Sequence, residues 1–354
     1  MTMRSELAEA PAVVAGLLEA ARAPLARVAD EVVRRGLDLV VIAGRGTSDH
    51  AATYAQYVLG ERNGLPVALA APSLGSLYGH GPRFGRALVI GISQSGRSPD
   101  VVGVLEDARE QRALTLAITN DPASPLAAAA DVIVPLAAGP ELAVAATKTY
   151  VAELAVVALL SEALRAAGVV AAVASADPID GSILATLPAA LEAAVAVEDD
   201  VIQVARARLG LSRCAVLGRG YQYATILEWA LKLKEVAGVA ADPYSAADFE
   251  HGPISMIEPG FPVLAVVTAG PAVAGMASLL GRLGDHGADL LMLSDVAAVR
   301  NLAHASIALP AGVPEWLSPI VAIVPCQLFA YHLAIAGGRD PETPRHLNKV
   351  TLTR

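Results

Sequence analysis

The sequence predicts an α/β protein in which a mostly parallel sheet, covered by helices on both faces, occurs twice. Short apolar runs alternate with helical stretches, the pattern of parallel strands joined by crossover helices. Two of those runs end in similar turns, Gly44-Arg45-Gly46-Thr47-Ser48 and Gly218-Arg219-Gly220-Tyr221-Gln222, each entering a helix, which reads as a coarse internal duplication. A Pro-, Gly- and Asp-containing segment, Val169 to Ser182, separates the halves as a linker, and 354 residues suffice for two domains.

Taken in order, residues 5–35 read as two amphipathic helical pieces. Leu37 to Ala43 is a continuous apolar run, suited to a strand buried on both faces. Further buried strands are expected at Pro66–Ala70, Ala87–Ile92, Ala113–Thr119 and Asp131–Leu136, with helices at Ser98–Gln111 and Thr147–Ala167. The second half repeats this with a helix at Ser182–Ala207 and strands at Cys214–Leu217, Val263–Val267, Leu290–Ser294 and Ser306–Leu309. A helix from Leu317 to Ala336 closes it. The expected division is a helical segment 1–35, domains 36–170 and 183–340, and a tail 341–354.

Composition narrows the function. Hydrophobic residues make up 54% of the chain and charged ones 17%. The longest uncharged run, Leu317 to Ala336, contains Pro319, Pro325, Gln327 and His332, so it is expected inside the protein rather than across a bilayer. Glu6 and Glu9 precede any apolar run, unlike a secretory leader, and Cys214 and Cys326 sit in apolar stretches as small hydrophobes. These features imply a cytoplasmic protein. A net charge of −9 without a basic tract argues against nucleic acid but leaves room for a small anion bound by backbone donors.

The chemistry concentrates in two stretches. In the first, a helix spanning about Tyr223–Val236 carries Glu228, Lys232 and Glu235 at i, i+4 and i+7, which places them within about 40° of one another on one stripe. The rest of that helix is largely apolar, so the stripe should face a cleft or an interface. An exposed Glu–Lys pair is the ordinary alternative. Favouring chemistry, Asp248-Phe249-Glu250-His251-Gly252-Pro253 follows and holds His251 in a turn, completing a set able to move protons.

The second stretch runs from Leu88 to Asp100. An apolar strand ends in Ser93-Gln94-Ser95-Gly96, and Pro99 opens a helix after Ser98. Hydroxyls from Ser93, Ser95 and Ser98 join backbone N–H groups at a helix N-terminus, an arrangement that suits a phosphate monoester. Plain capping serines are the alternative. Gly46, Thr47 and Ser48 supply a second donor set beyond another strand. Neither glycine turn completes GxGxxG, and no P-loop or zinc signature occurs, so no metal or organic cofactor is implied. The other histidines are scattered singly, and the polar tail from Pro341 reads by itself as a frayed end.

These segments, with GPELAVAATKTY, LEWALKLKE and PRHLNKVTLT, resemble the double sugar-isomerase (SIS) domain family, in order and over nearly the whole chain. The family includes the isomerase half of glucosamine-6-phosphate synthase and stand-alone deaminase-type relatives. The resemblance implies two tandem flavodoxin-like SIS domains in a homodimer with shared active sites. By matching position, Thr47, Ser48, Ser93, Gln94, Ser95 and Ser98 bind the phosphate, with Gly46, Val144 and Ala145 alongside. Glu235 moves the proton between C1 and C2, and Lys232 and Glu228 neighbour it. His251, supplied by the other subunit, opens the sugar ring, and Lys349 closes over the sugar to meet its carbonyl. Ala146, Arg97 and Asp49 depart from the family pattern and leave the substrate open.

The resemblance implies a hexose or hexosamine 6-phosphate as partner. Because the chain starts Met-Thr-Met-Arg with no room for the synthase's glutaminase domain, conversion of glucosamine 6-phosphate and water to fructose 6-phosphate and ammonia is the expected reaction. Deglycation of a fructosamine 6-phosphate, another phosphosugar isomerisation, and a non-catalytic sugar-phosphate sensor stand as alternatives.

Overall fold

A computed structural model describes residues 2–170 and 182–349; most of the expected linker, and the end of the tail, lie outside the described residues. Among the described residues ten strands form two five-stranded parallel sheets. The first comprises β1 (Leu39–Ala43), β2 (Val67–Leu69), β3 (Ala87–Ile92), β4 (Leu114–Thr119) and β5 (Val132–Pro135), in the order β2-β1-β3-β4-β5. The second comprises β6 (Arg213–Gly218), β7 (Ala240–Ser245), β8 (Pro262–Val267), β9 (Asp289–Ser294) and β10 (Ala305–Ala308), in the order β10-β9-β8-β6-β7. Counted within each half, the two orders are the same, so the duplication expected from the glycine turns is present in the topology.

Each sheet forms because its central strands are apolar on both faces. Every residue of β3 and β4 is buried, as parallel strands flanked by helices require. In the first unit Val89, Ala117 and Ala43 pack with Val101, Leu105 and Leu126. In the second, Leu217, Ala265 and Met292 pack with Leu279, Leu280 and Phe249.

The structure differs from the sequence expectation in several places. β2 is an edge strand with two of its three residues exposed, not a buried one, because only β1 pairs with it. The expected 182–207 helix is three pieces, a 3-10 turn at Leu184–Thr186 and α-helices at Leu187–Ala196 and Glu198–Ala207. Strand β7, with Pro243 inside it, and the Val273–Asp285 helix, with three glycines, were not anticipated.

Contacts group the described residues into two compact units: 10–141, 148–170, 182–188 and 348–349 form the first, and 2–9, 142–147 and 189–347 form the second. Among the described residues one helical stretch, Glu315–Ala336, has the length and apolarity of a membrane span, and 78% of its most apolar window is buried in the protein. Both cysteines are free and buried, and burial pushes the Cys214 thiol up to about 12, consistent with a packing role.

Candidate functional site

In the first unit β1 is flanked by β2 on one side and β3 on the other, so the chain changes direction across the sheet at the β1/β3 pair. A crevice beyond the carboxyl ends of such a pair is where open parallel sheets bind ligands. β1 leads there into Gly44–Ser48 and β3 into Ser93–Ser98. The two loops are tied together by Arg45, whose Nε donates to Asp100 Oδ2 at 2.6 Å. Asp100 is buried in the first turn of the Pro99–Glu110 helix. The sequence reading singled out neither residue, since an isolated Arg and Asp 55 positions apart carry no local pattern.

Each candidate donor can now be placed. Ser93 Oγ accepts from Gly96 N–H at 3.1 Å, which leaves its own proton to point elsewhere. Ser95 Oγ accepts from Arg97 N–H at 3.3 Å. Ser98 occupies the cap position of the Pro99–Glu110 helix without its side chain bonding the helix, so its hydroxyl is not spent on capping. Gln94, Ser95 and Ser98 are half-buried. Thr47 opens the Thr47–Asn63 helix behind Gly46, which has φ +54°. Ser48, in contrast, turns inward: its hydroxyl donates to Glu153 Oε1 at 2.9 Å in the interior. Burial raises the Asp49 carboxyl, opposed by His50 and Arg45.

Gly96 is required here. Its φ is +62°, and a Cβ would lie 2.1 Å from Ser124 Oγ. Gly96→Ala is therefore expected to distort the 93–98 loop and cost about 1–2 kcal/mol from backbone strain alone. The check is a thermal melt together with affinity for inorganic phosphate. Unchanged values for both would show that the loop does not need this conformation.

The matching place in the second unit is already filled. Beyond β6 and β8, Gln222 Nε2 donates to Thr268 Oγ1 at 3.1 Å and to Ser318 Oγ at 2.7 Å. A Cβ on Gly270 would lie 2.3 Å from the Glu315 carboxylate carbon, and one on Gly220 within 3.9 Å of Glu315 Oε1. A carboxylate at this crevice disfavours a bound anion.

What the second unit offers instead is the charged stripe. The α-helix Gln222–Lys232 continues into a π-helical turn, Leu233–Ala237, stopped by Gly238 at φ +66°. Such π turns shift side chains round the helix and are frequent at functional sites. Glu228, Lys232 and Glu235 come together as expected. Lys232 Nζ lies 3.3 Å from Glu228 Oε1 and donates a short hydrogen bond to Glu235 Oε2. Glu228 and Lys232 side chains are wholly buried, whereas that of Glu235 is 20% exposed. Burial pulls the Lys232 ammonium down, but the two carboxylates outweigh it and hold the group above the ordinary lysine value. The only member of the trio within reach of a ligand is thus a carboxylate backed by a fixed cation.

The remaining candidates lie on separate segments of the chain. His251 is exposed at the end of the Ala246–Glu250 helix in the second unit. Ala145 is buried and Val144 half-buried in the loop 142–147, whose Leu142 and Ala143 N–H groups donate to Glu6. Lys349, in the first unit, forms an ion pair with Glu141 at 3.0 Å. Among the described residues no three His, Cys, Asp or Glu side chains converge on a metal position.

Comparison with known proteins agrees with this architecture. The SIS domain pattern matches residues 37–163 and 212–337. Glutamine–fructose-6-phosphate aminotransferase (isomerizing) from Pyrococcus horikoshii is 34% identical over 313 residues, 88% of this chain and 51% of that protein. The chain therefore spans about half the length of the curated relatives it matches. Among solved structures, the C-terminal domain of glucosamine-fructose-6-phosphate aminotransferase from Francisella tularensis superposes with a TM-score of 0.87 at 25% identity, over 97% of this chain and 98% of that one. A candidate phosphosugar isomerase from Silicibacter pomeroyi does so with a TM-score of 0.83 at 34% identity, over 96% and 99%. With both repeats matched, each bearing its own parallel sheet, the chain belongs to the SIS domain family.

Proposed function

We propose that the protein is a phosphosugar isomerase that acts on amino sugars, converting glucosamine 6-phosphate and water to fructose 6-phosphate and ammonia. The observation that carries this reading is the partly exposed Glu235 carboxylate, held by the buried Lys232, in a chain whose other repeat carries Ser93, Ser95 and Ser98 on one loop at a helix N-terminus. Ser93, Gln94, Ser95 and Ser98, with Gly46 and Thr47, hold the phosphate. Glu235 takes the proton from C2 and returns it at C1, while Lys232 and Glu228 fix its position. The open-chain 2-amino aldose thereby becomes an enolamine and, on protonation at C1, the C2 imine of fructose 6-phosphate. Water adds at the former amino carbon and ammonia leaves, so atoms and charge balance without a redox partner. His251 assists ring opening and Lys349 meets the developing oxyanion. A homodimer, with His251 supplied by the partner, and a cytoplasmic location belong to the same reading.

Support comes from relatives named for fructose-6-phosphate amination, the same carbon skeleton and the same nitrogen. The test is ammonia release from glucosamine 6-phosphate, read against galactosamine 6-phosphate and unphosphorylated glucosamine. Saturable release from the first is expected, and its absence at millimolar substrate would refute the assignment.

One observation favours a second reading, deglycation of an amino-acid conjugate of fructose 6-phosphate. A cavity of about 380 Å³ beside Glu235 is lined by Lys234, Arg339 and Arg345 as well as Asp340. Three cations against Glu235 and Asp340 suit a carboxylate on the substrate nitrogen. Asp340 is occupied by Thr343 and by the Glu342 N–H. Release of a free amino acid from such a conjugate, faster than ammonia from glucosamine 6-phosphate, is the result this reading expects.

A further inference from the structure

The tail lysine is held by a residue to which no role has yet been given. Glu141 is wholly buried at its side chain, and Lys349 is 25% exposed. Glu141 Oε2 accepts from Lys349 Nζ at 3.0 Å and from Thr149 Oγ1 at 2.7 Å, and Oε1 accepts from Thr149 N–H at 3.1 Å. All three residues lie in the first unit. Thr149 is the second residue of the nineteen-residue helix Lys148–Ala166, so the carboxylate sits at that helix's positive end.

The ground beneath Glu141 is fixed as well. Asn120 accepts from Ala138 N–H at 2.9 Å and donates to Gly139 O at 2.8 Å, and Lys148 Nζ donates to Pro140 O at 2.7 Å. The carboxylate therefore cannot follow the tail if the tail moves. The tail itself is loosely held before this point, since Arg345, His346, Leu347 and Asn348 are all exposed. A lysine on such a segment would otherwise spread over many rotamers and backbone positions.

We propose that Glu141 is a positioning residue for the reaction: a rigid, buried anchor that pins the tail and aims the Lys349 ammonium. The inference rests on the role given above to Lys349. It acts through preorganisation, because a group already at its working position loses no freedom when substrate binds. The carboxylate has the capacity for this, since it accepts Thr149 on both oxygens and the ammonium on one of them.

The test uses the full chain with Glu141→Gln, Lys349→Gln, the double variant, and Thr149→Val, which keeps the charge but loosens its grip. Glu141→Gln should lower kcat/KM for the sugar phosphate about tenfold or more. The double variant should be no worse than Lys349→Gln, because Glu141 works only through the lysine. Without substrate, trypsin should cut after Arg345 about fivefold faster in Glu141→Gln, and faster than wild type in Thr149→Val. Wild-type turnover in Glu141→Gln, losses that multiply in the double variant, or unchanged tail cleavage in both anchor variants would each overturn the proposal. If Glu141→Gln does not fold, Thr149→Val with unaltered cleavage and turnover overturns it alone. Tail cleavage needs no substrate: were no sugar phosphate turned over by wild type, the functional reading would fail, while accelerated cleavage would still support the anchor.

Discussion

Glu235→Gln is expected to lower kcat by about 10²–10⁴-fold, the range that positioned proton transfer contributes, while changing KM by only about a factor of three. The two side chains have the same size, and the amide oxygen can still accept from Lys232, so the π turn should keep its shape. What disappears is the group that accepts a proton. Glu228 cannot stand in for it, since its side chain is wholly buried on the other side of Lys232. The measurement is exchange of the sugar C2 proton in deuterated water, followed alongside ammonia release. Both should fall together. If exchange persists at the wild-type rate while ammonia release stops, Glu235 acts on the nitrogen and another base moves the proton. If neither changes, the carboxylate is structural.

Much of this arrangement was legible in the sequence because it is written in short-range patterns. The runs around Val40, Val89 and Leu116 are apolar without interruption and became central strands, and the i, i+4 spacing of Glu228 and Lys232 placed both on one side of one α-helix, whereas Glu235, expected on the same regular helix, joins them through a π turn. The misses have physical reasons. Strand β7 contains Asp242 and Pro243, which a central strand would reject, but it lies at an edge, where only β6 needs its hydrogen bonds. The Val273–Asp285 helix carries Gly275, Gly281 and Gly284, each unfavourable to a helix alone, and is held by Met276, Leu279, Leu280 and Leu283 packing into the core. Long-range pairings left no local signal: Arg45 with Asp100, Ser48 with Glu153, and Glu141 with Lys349 join residues 55, 105 and 208 positions apart. Ser48 is the instructive case. Its motif position pointed to a ligand, and only the fold revealed that its hydroxyl serves a buried glutamate. The proposed phosphate site therefore rests more on the 93–98 loop than the motif implied.

Lys232→Met should destabilise the protein by about 3–5 kcal/mol, the cost of depriving a buried carboxylate of its cation. That corresponds to a melting temperature lower by on the order of 10 °C. Lys232 and Glu228 are wholly buried, so solvent cannot take over the lost interaction. The diagnostic comparison is Glu228→Gln/Lys232→Met. Removing both buried charges leaves only the partly exposed Glu235 carboxylate without its cation, and the double variant should recover half or more of the loss while remaining inactive. A single variant that melts within about 2 °C of wild type would show that the pair contributes nothing to the fold. The pH dependence has a definite sign. The folded lysine lies above its ordinary 10.5, so its contribution is fully present below that value and is lost as pH rises through the higher folded one. Wild type and Lys232→Met should therefore differ by a constant amount near neutrality and converge only in strong alkali. Convergence on the acid side instead would show that the lysine's charge does not control the cluster.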